Sequence, residues 1–184
     1  MSNSNKEIHP KSPYSDPSPY PEVQVLSRNP DYAEILMDDY AGIISEFTAI
    51  NQYLYHHFIC TPINKELGDL LKNIAKSEML HLEILGSTII SLGGNPVIRG
   101  SGSLLHNNFW SGKSIYYGTN LCGQLKADIE AEYQAIAEYQ RHILCIGDSQ
   151  VKTILQRIIL DEKVHIRLLS QALEKFCGCN VRGL

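Results

Sequence analysis

Four glutamates stand in mirror positions about two turn signals, and this restricts the fold more than anything else in the chain. Glu46 and Glu78 are equidistant from Pro62, and Glu132 and Glu162 are equidistant from Gly147. Each turn is flanked by long runs whose apolar residues recur with helical period. In an antiparallel helical hairpin, residues equally far from the turn lie at the same height. Each half of the chain therefore brings two carboxylates level. Each half also carries a histidine one turn beyond its second glutamate, in EMLH at 78–81 and EKVH at 162–165. Residues three apart share one helix face, so each Glu/His pair can reach a single point.

The periodicity predicts four helices. The first runs from about residue 31, with a start signal at Asn29 or Asp31 around Pro30, to the stop at Thr61-Pro62. It carries Ile35, Asp39, Ile43, Glu46, Ile50, Tyr53 and His57 on one face. The second covers 65–92 and ends at Gly93-Gly94-Asn95-Pro96, a left-handed cap followed by proline. The third, about 120–146, presents Ile129, Glu132, Ile136, Tyr139 and Ile143. Gly147-Asp148-Ser149 breaks it and can cap the fourth, about 150–176, which presents Ile154, Ile158, Glu162, His165, Leu169 and Ala172. Short turns within each half make antiparallel pairs. The connection over 95–118 is long enough to run the length of a bundle and make helices two and three parallel. The predicted fold is all-α: a four-helix bundle over 31–178 with a long crossover between helices two and three.

Residues 1–30 are a different kind of segment, with six of the eight prolines interleaved with Ser and Tyr. They read as an extended or disordered arm outside the core, able to wrap a neighbouring subunit. Residues 179–184 read as a tail. A net charge of −4 gives no reason to expect nucleic acid or an anionic membrane as partner. No apolar run has membrane-spanning length, and the N-terminus lacks the apolar stretch of a secretory signal. Five cysteines without framework spacing fit a reducing compartment, so a cytoplasmic protein is expected.

Glu46, Glu78, His81, Glu132, Glu162 and His165 are the expected metal ligands. Carboxylates on apolar faces are costly to bury unless a cation compensates them. Four carboxylates balance two divalent ions, and oxygen and nitrogen donors of this kind suit two iron or two manganese ions per chain. One Glu on each of two helices, with Glu-x-x-His on the other two, is the known ligand pattern of di-iron and di-manganese bundles. Tyr53, two turns beyond Glu46 on the same face, is the candidate catalytic residue; its competing reading is a core tyrosine with a bonded hydroxyl. Asp39 and Asp128 suit capping or supporting roles, and His56 and His57 lie too far along the helix to share an ion with Glu46. Glu83, Glu130, Glu138 and Glu174 read as solvated helix faces, His106 as polar loop surface and Met79 as packing. Cys177-Gly-Cys179 is too little for a zinc or iron–sulfur site. No Ser/His/Asp triad, phosphate loop or dinucleotide-binding glycine pattern is present.

Four segments carry a resemblance to a known group: EFTAINQYLYHH at 46–57, SEMLHLEILGSTIISLGGNP at 77–96, DIEAEYQAIAEYQRHI at 128–143 and RIILDEKVHIRLL at 157–169. They resemble the helices of the ferritin-like superfamily, in particular bacterioferritin, rubrerythrin and manganese catalase, over about 31–176. The resemblance implies that Glu78 and Glu162 bridge two ions, with Glu46 and His81 terminal on one and Glu132 and His165 on the other. It also implies departures. Ala135 stands where rubrerythrin has a further ligand carboxylate, and no rubredoxin domain is present. Met79 stands where bacterioferritin has its haem-binding Met, but haem is not predicted because relatives without haem share that Met. The chain ends soon after Phe176, without the fifth helix of ferritin cages. The long crossover with its Trp110 region resembles the manganese-catalase side of the group. The expected function is therefore a non-haem dinuclear oxidoreductase acting on peroxide or dioxygen, as a homo-oligomer. Its rivals are iron binding or storage, and a bundle whose metals serve structure only.

Overall fold

The computed structural model describes residues 12–101 and 109–178. His106, Cys179, the first eleven residues and the 179–184 tail lie outside them. Among the described residues five α-helices form: α1 Pro30–Ala41, α2 Glu46–Cys60, α3 Lys65–Leu92, α4 Leu121–Cys145 and α5 Ser149–Cys177. No strand occurs among the described residues.

The expected first helix is two. Gly42 ends α1 with an extended backbone, and its carbonyl accepts hydrogen bonds from the Ser45 and Thr48 hydroxyls. Ser45 then caps α2 by accepting from the Thr48 amide. A side chain at position 42 would lie 2.6 Å from the Asp38 carbonyl, so the close turn requires glycine there. The break turns Ile43 outward, 77% exposed, although the periodicity puts it inside. It also places Glu46 in the first turn of α2, where the helix dipole favours a carboxylate.

The other ends follow their sequence signals. Asn29, Asn64, Asn120 and Asp148 accept hydrogen bonds from the first amides of α1, α3, α4 and α5. Gly93 takes the left-handed conformation that ends α3, at φ 96°.

Helix α2 packs chiefly on α3, and α4 on α5. Across the bundle Glu46 meets Tyr139 while Tyr53 meets Glu132, so α2 and α4 run antiparallel. Helices α3 and α4 are therefore parallel, as the crossover requires. The first part of that crossover bonds α1, through Arg99 to Glu34 and Ser101 to Asp38, and the part after residue 108 lies along α2. Trp110 stacks edge-on against Phe47 and donates to the Thr48 hydroxyl, and the Tyr116 carbonyl accepts from His56.

Two apolar clusters fill the interior. One gathers Leu36, Met37, Leu85, Ile89, Val151 and Ile158; the other gathers Tyr53, Leu71, Ile74, Leu125, Ile129 and Leu169. The glutamates and histidines lie on the same helix faces, in the stretch between these clusters.

The arm departs from the expectation that it stays outside the core. Residues 12–29 have no regular structure, yet Tyr20, Val23 and Val25 pack on the first cluster and Tyr14 on the second. The Leu26 amide is held by Asp148, the cap of α5. A second departure is a disulfide between Cys122 at the start of α4 and Cys177 at the end of α5, where the cysteine spacing predicts reduced thiols. It closes the open end of that hairpin, while Cys60 and Cys145 are free thiols.

Candidate metal centre

The six expected ligands meet in the middle of the bundle. Glu46, Glu78, His81, Glu132, Glu162 and His165 are all at most 4% exposed. They form two overlapping groups: Glu46, Glu78, His81 and Glu162, and Glu78, Glu132, Glu162 and His165. Within each group the donor atoms lie within 4.8 Å of one another, and Glu78 and Glu162 belong to both.

Each imidazole turns Nδ1 toward three carboxylates. His81 Nδ1 lies 2.8 Å from Glu78, 3.3 Å from Glu162 and 3.6 Å from Glu46. His165 Nδ1 lies 2.9 Å from both Glu78 and Glu162 and 3.4 Å from Glu132. The far nitrogens are held from outside. His81 Nε2 is 2.9 Å from Asp161, and His165 Nε2 is 2.9 Å from the Tyr14 carbonyl. A carbonyl only accepts, so His165 carries a proton on Nε2, and Nδ1 is the nitrogen left to face an ion among the carboxylates. This is how a metal-binding histidine is oriented.

The electrostatics call for cations. Burial, then repulsion from Glu78 and Glu162, pushes the Glu46 carboxyl well above its ordinary range. Burial and the same two neighbours do so for Glu132. Burial also opposes the charge on Glu78, but His165 and His81 outweigh it and bring that carboxyl down. Glu78 Oε1 and Glu162 Oε1 accept no hydrogen bond. His165 Nδ1 and His81 Nδ1 are close to them, at 2.9 and 3.3 Å, but not in hydrogen-bonding geometry. Buried carboxylate oxygens without donors are expensive, and these two belong to the residues shared by both groups. The donor set fits two divalent ions of iron or manganese, one per group.

Behind these six residues lies a further layer: helical periodicity puts Tyr53 and Tyr139 on inner faces but does not reveal what they bond. Tyr53 and Tyr139 donate their hydroxyls to Glu132 and Glu46. Burial, then those carboxylates, pushes both phenols well up, so both stay protonated. Asp161 accepts from His81, Tyr20, Arg157 and the Asp16 amide. Burial opposes its charge, but the hydrogen bonds outweigh burial and hold its carboxyl at about 2. Asp128 and Asp39 do not touch the ligand set. Asp128 holds His56 and Gln52, and Asp39 holds His142. His57 bonds the Gly68 carbonyl, and Met79 is half-exposed on α3.

A cavity of about 260 Å³ reaches the glutamates between α2 and α4. Its inner wall includes Glu46, Tyr53, Glu132 and Tyr139, and its outer part includes the exposed residues Ile43, Glu130 and Gln134. Ala127, Ala131 and Ala135, spaced by one helical turn, line the α4 side. Small side chains there leave a passage from the surface to the carboxylates.

Comparison with known proteins agrees with this fold. The family model for the ferritin-like domain matches residues 42–177. A probable manganese catalase of Clostridium acetobutylicum is 26% identical over 171 residues, 84% of this chain and 75% of that protein. The bacterioferritin of Mycobacterium leprae is 29% identical over 152 residues, 80% of this chain and 87% of that protein. Among solved structures, the manganese catalase KatB from Anabaena superposes with a TM-score of 0.77 at 23% identity, covering 95% of this chain and 80% of its own. With the family model spanning most of the chain and the helices arranged as that fold requires, this protein belongs to the ferritin-like family.

Proposed function

We propose that this protein is a non-haem dinuclear oxidoreductase that holds two iron or two manganese ions and acts on peroxide or dioxygen. The observation that carries the reading is the pair of ligand groups sharing Glu78 and Glu162 at the end of an open cavity. In this reading Glu46 and His81 would help hold one ion, Glu132 and His165 the other, and Glu78 and Glu162 would serve both. The metals supply two-electron redox chemistry between paired oxidation states. The chain supplies the rest. Glu78 and Glu162 hold the ions close, and Asp161 and the Tyr14 carbonyl keep both imidazoles in their binding tautomer. Tyr53 and Tyr139 hold the terminal carboxylates and keep protons beside the cavity floor. The alanine-lined passage admits a small substrate.

The relatives support two versions of this chemistry. The manganese-catalase relative favours disproportionation of hydrogen peroxide to water and dioxygen; the bacterioferritin relatives favour oxidation and handling of iron. The catalase version is preferred on the relative named a probable manganese catalase, whose 171-residue match covers 84% of this chain. A cytoplasmic homo-oligomer accompanies either version.

Production with both metals available, followed by elemental analysis and an oxygen-electrode assay with hydrogen peroxide, separates the outcomes. Two manganese per chain with dioxygen release supports the catalase reading. Two iron per chain with iron-dependent oxygen consumption and a large defined cage supports the ferroxidase reading. Metal that never changes oxidation state with peroxide contradicts both.

A further inference from the structure

The two halves of the centre are nearly symmetric, and the place where the symmetry fails points to a role for the arm. Asp161 immediately precedes Glu162 and holds the far nitrogen of His81, the histidine of the opposite half. The matching position before Glu78 is Ser77, and a serine lacks the reach and the charge to do the same for His165. Instead the backbone carbonyl of Tyr14 accepts from His165 Nε2 at 2.9 Å. Ser77 and the arm are fastened to one another at this point. The Ser77 hydroxyl lies 2.9 Å from the Ser15 hydroxyl and 3.4 Å from the same Tyr14 carbonyl. The segment is anchored further along, where Arg157 bonds the Asp16 and Ser18 carbonyls and lies 4.0 Å over the Tyr20 ring. Asp16 and Tyr20 also bond Asp161.

We propose that residues 14–16 are a strap that completes the second metal position. The Tyr14 carbonyl substitutes for the acid absent at Ser77, making His165 a weaker ligand that depends on the strap and giving the two ions unequal affinity. An imidazole backed by a carboxylate is a better donor than one backed by a neutral carbonyl. The position served by His81 is therefore the tighter one, and the position served by Glu132 and His165 exchanges its ion first. Tyr14 to Asp16 are positioning residues and touch no substrate. The inference rests on the two-metal reading above.

The test is calorimetric titration of manganese(II) into three metal-free proteins: the full chain, a chain shortened to begin at Ser18, and that shortened chain carrying Ser77→Asp. The shortened chain loses the Asp16 amide from Asp161 but keeps Tyr20 and Arg157 there. In the full chain two unequal binding steps are expected. In the shortened chain the weaker step falls by about 10- to 100-fold, the tighter step stays within about threefold, and Ser77→Asp recovers most of the loss. Equal weakening of both steps, no weakening, or failure of Ser77→Asp to recover the weaker step overturns the strap and leaves the two-metal reading standing. A full chain that binds no metal overturns both. If the shortened chain does not fold, Ser77→Asp in the full chain carries the test. It tightens the weaker step by about tenfold if the strap substitutes for an acid, and an unchanged weaker step overturns the proposal.

Discussion

Tyr139 on α4 hydrogen-bonds Glu46 on α2 across the cavity floor, and Tyr53 on α2 returns the same bond to Glu132 on α4. Each terminal carboxylate thus has one phenol behind it. Tyr53→Phe and Tyr139→Phe keep the ring packing and remove only the donor. Both variants are expected to fold and to retain metal, with turnover lower by about 10- to 100-fold, the usual effect of removing a ligand's outer partner. Metal analysis and initial rates on the same samples check this. Unchanged rates in Tyr53→Phe would return that residue to a packing role.

The shared glutamates and the terminal ones are expected to behave differently. Glu78→Ala or Glu162→Ala removes a donor from both groups, so both ions are lost. Glu46→Ala removes a donor from one group only and leaves about one ion per chain. Elemental analysis of the three purified variants distinguishes these patterns.

The stability of the bundle depends on Asp39 in a pH-specific way. Burial, partly offset by the His142 hydrogen bond, raises its carboxyl from the ordinary value of 3.8 to about 6. The folded protein then holds a proton that the unfolded chain has released, so this group's contribution falls as pH rises between those two values. Asp39→Asn lacks that slope. The stability of the parent relative to the variant should decline from about pH 4 to about pH 6, by about 3 kcal/mol at most. Denaturant unfolding of both proteins across that range reads it directly.

The alanine-lined passage predicts a selective block. Ala131→Phe fills space on the cavity wall at a residue that is already partly solvent-exposed, so the fold tolerates it. Metal content should be unchanged and peroxide turnover should fall about tenfold or more, since substrate must reach the reacting centre to be positioned there. Turnover equal to that of the parent would mean that substrate enters by another route.

The candidate ligand set is legible in the sequence because it is periodic. Glu78 and His81, like Glu162 and His165, sit among leucines and isoleucines at helical spacing, and mirror placement about Pro62 and Gly147 brings the halves level. What stands behind those six residues is less legible. Asp161 is one residue from a ligand, which turns it toward α3 and not toward the cluster centre, and only the pairing of α3 with α5 puts it on His81. Tyr139 reads as an inner-face residue without a partner, because its bond to Glu46 spans 93 residues. The Tyr14 carbonyl is backbone and leaves no side-chain signal. The break between α1 and α2 is signalled locally by Gly42 and by Ser45 with Thr48, but a regular stripe through Ile43 masks it. The Cys122–Cys177 bond joins residues 55 apart with no framework spacing to announce them.

The most direct test of the central claim is anomalous scattering from a crystal of the manganese- or iron-loaded full chain. Two peaks roughly 3.5–4 Å apart, both in contact with Glu78 and Glu162, one with His81 and the other with His165, are the expected result. A single ion, or ions bound away from these six residues, would contradict it.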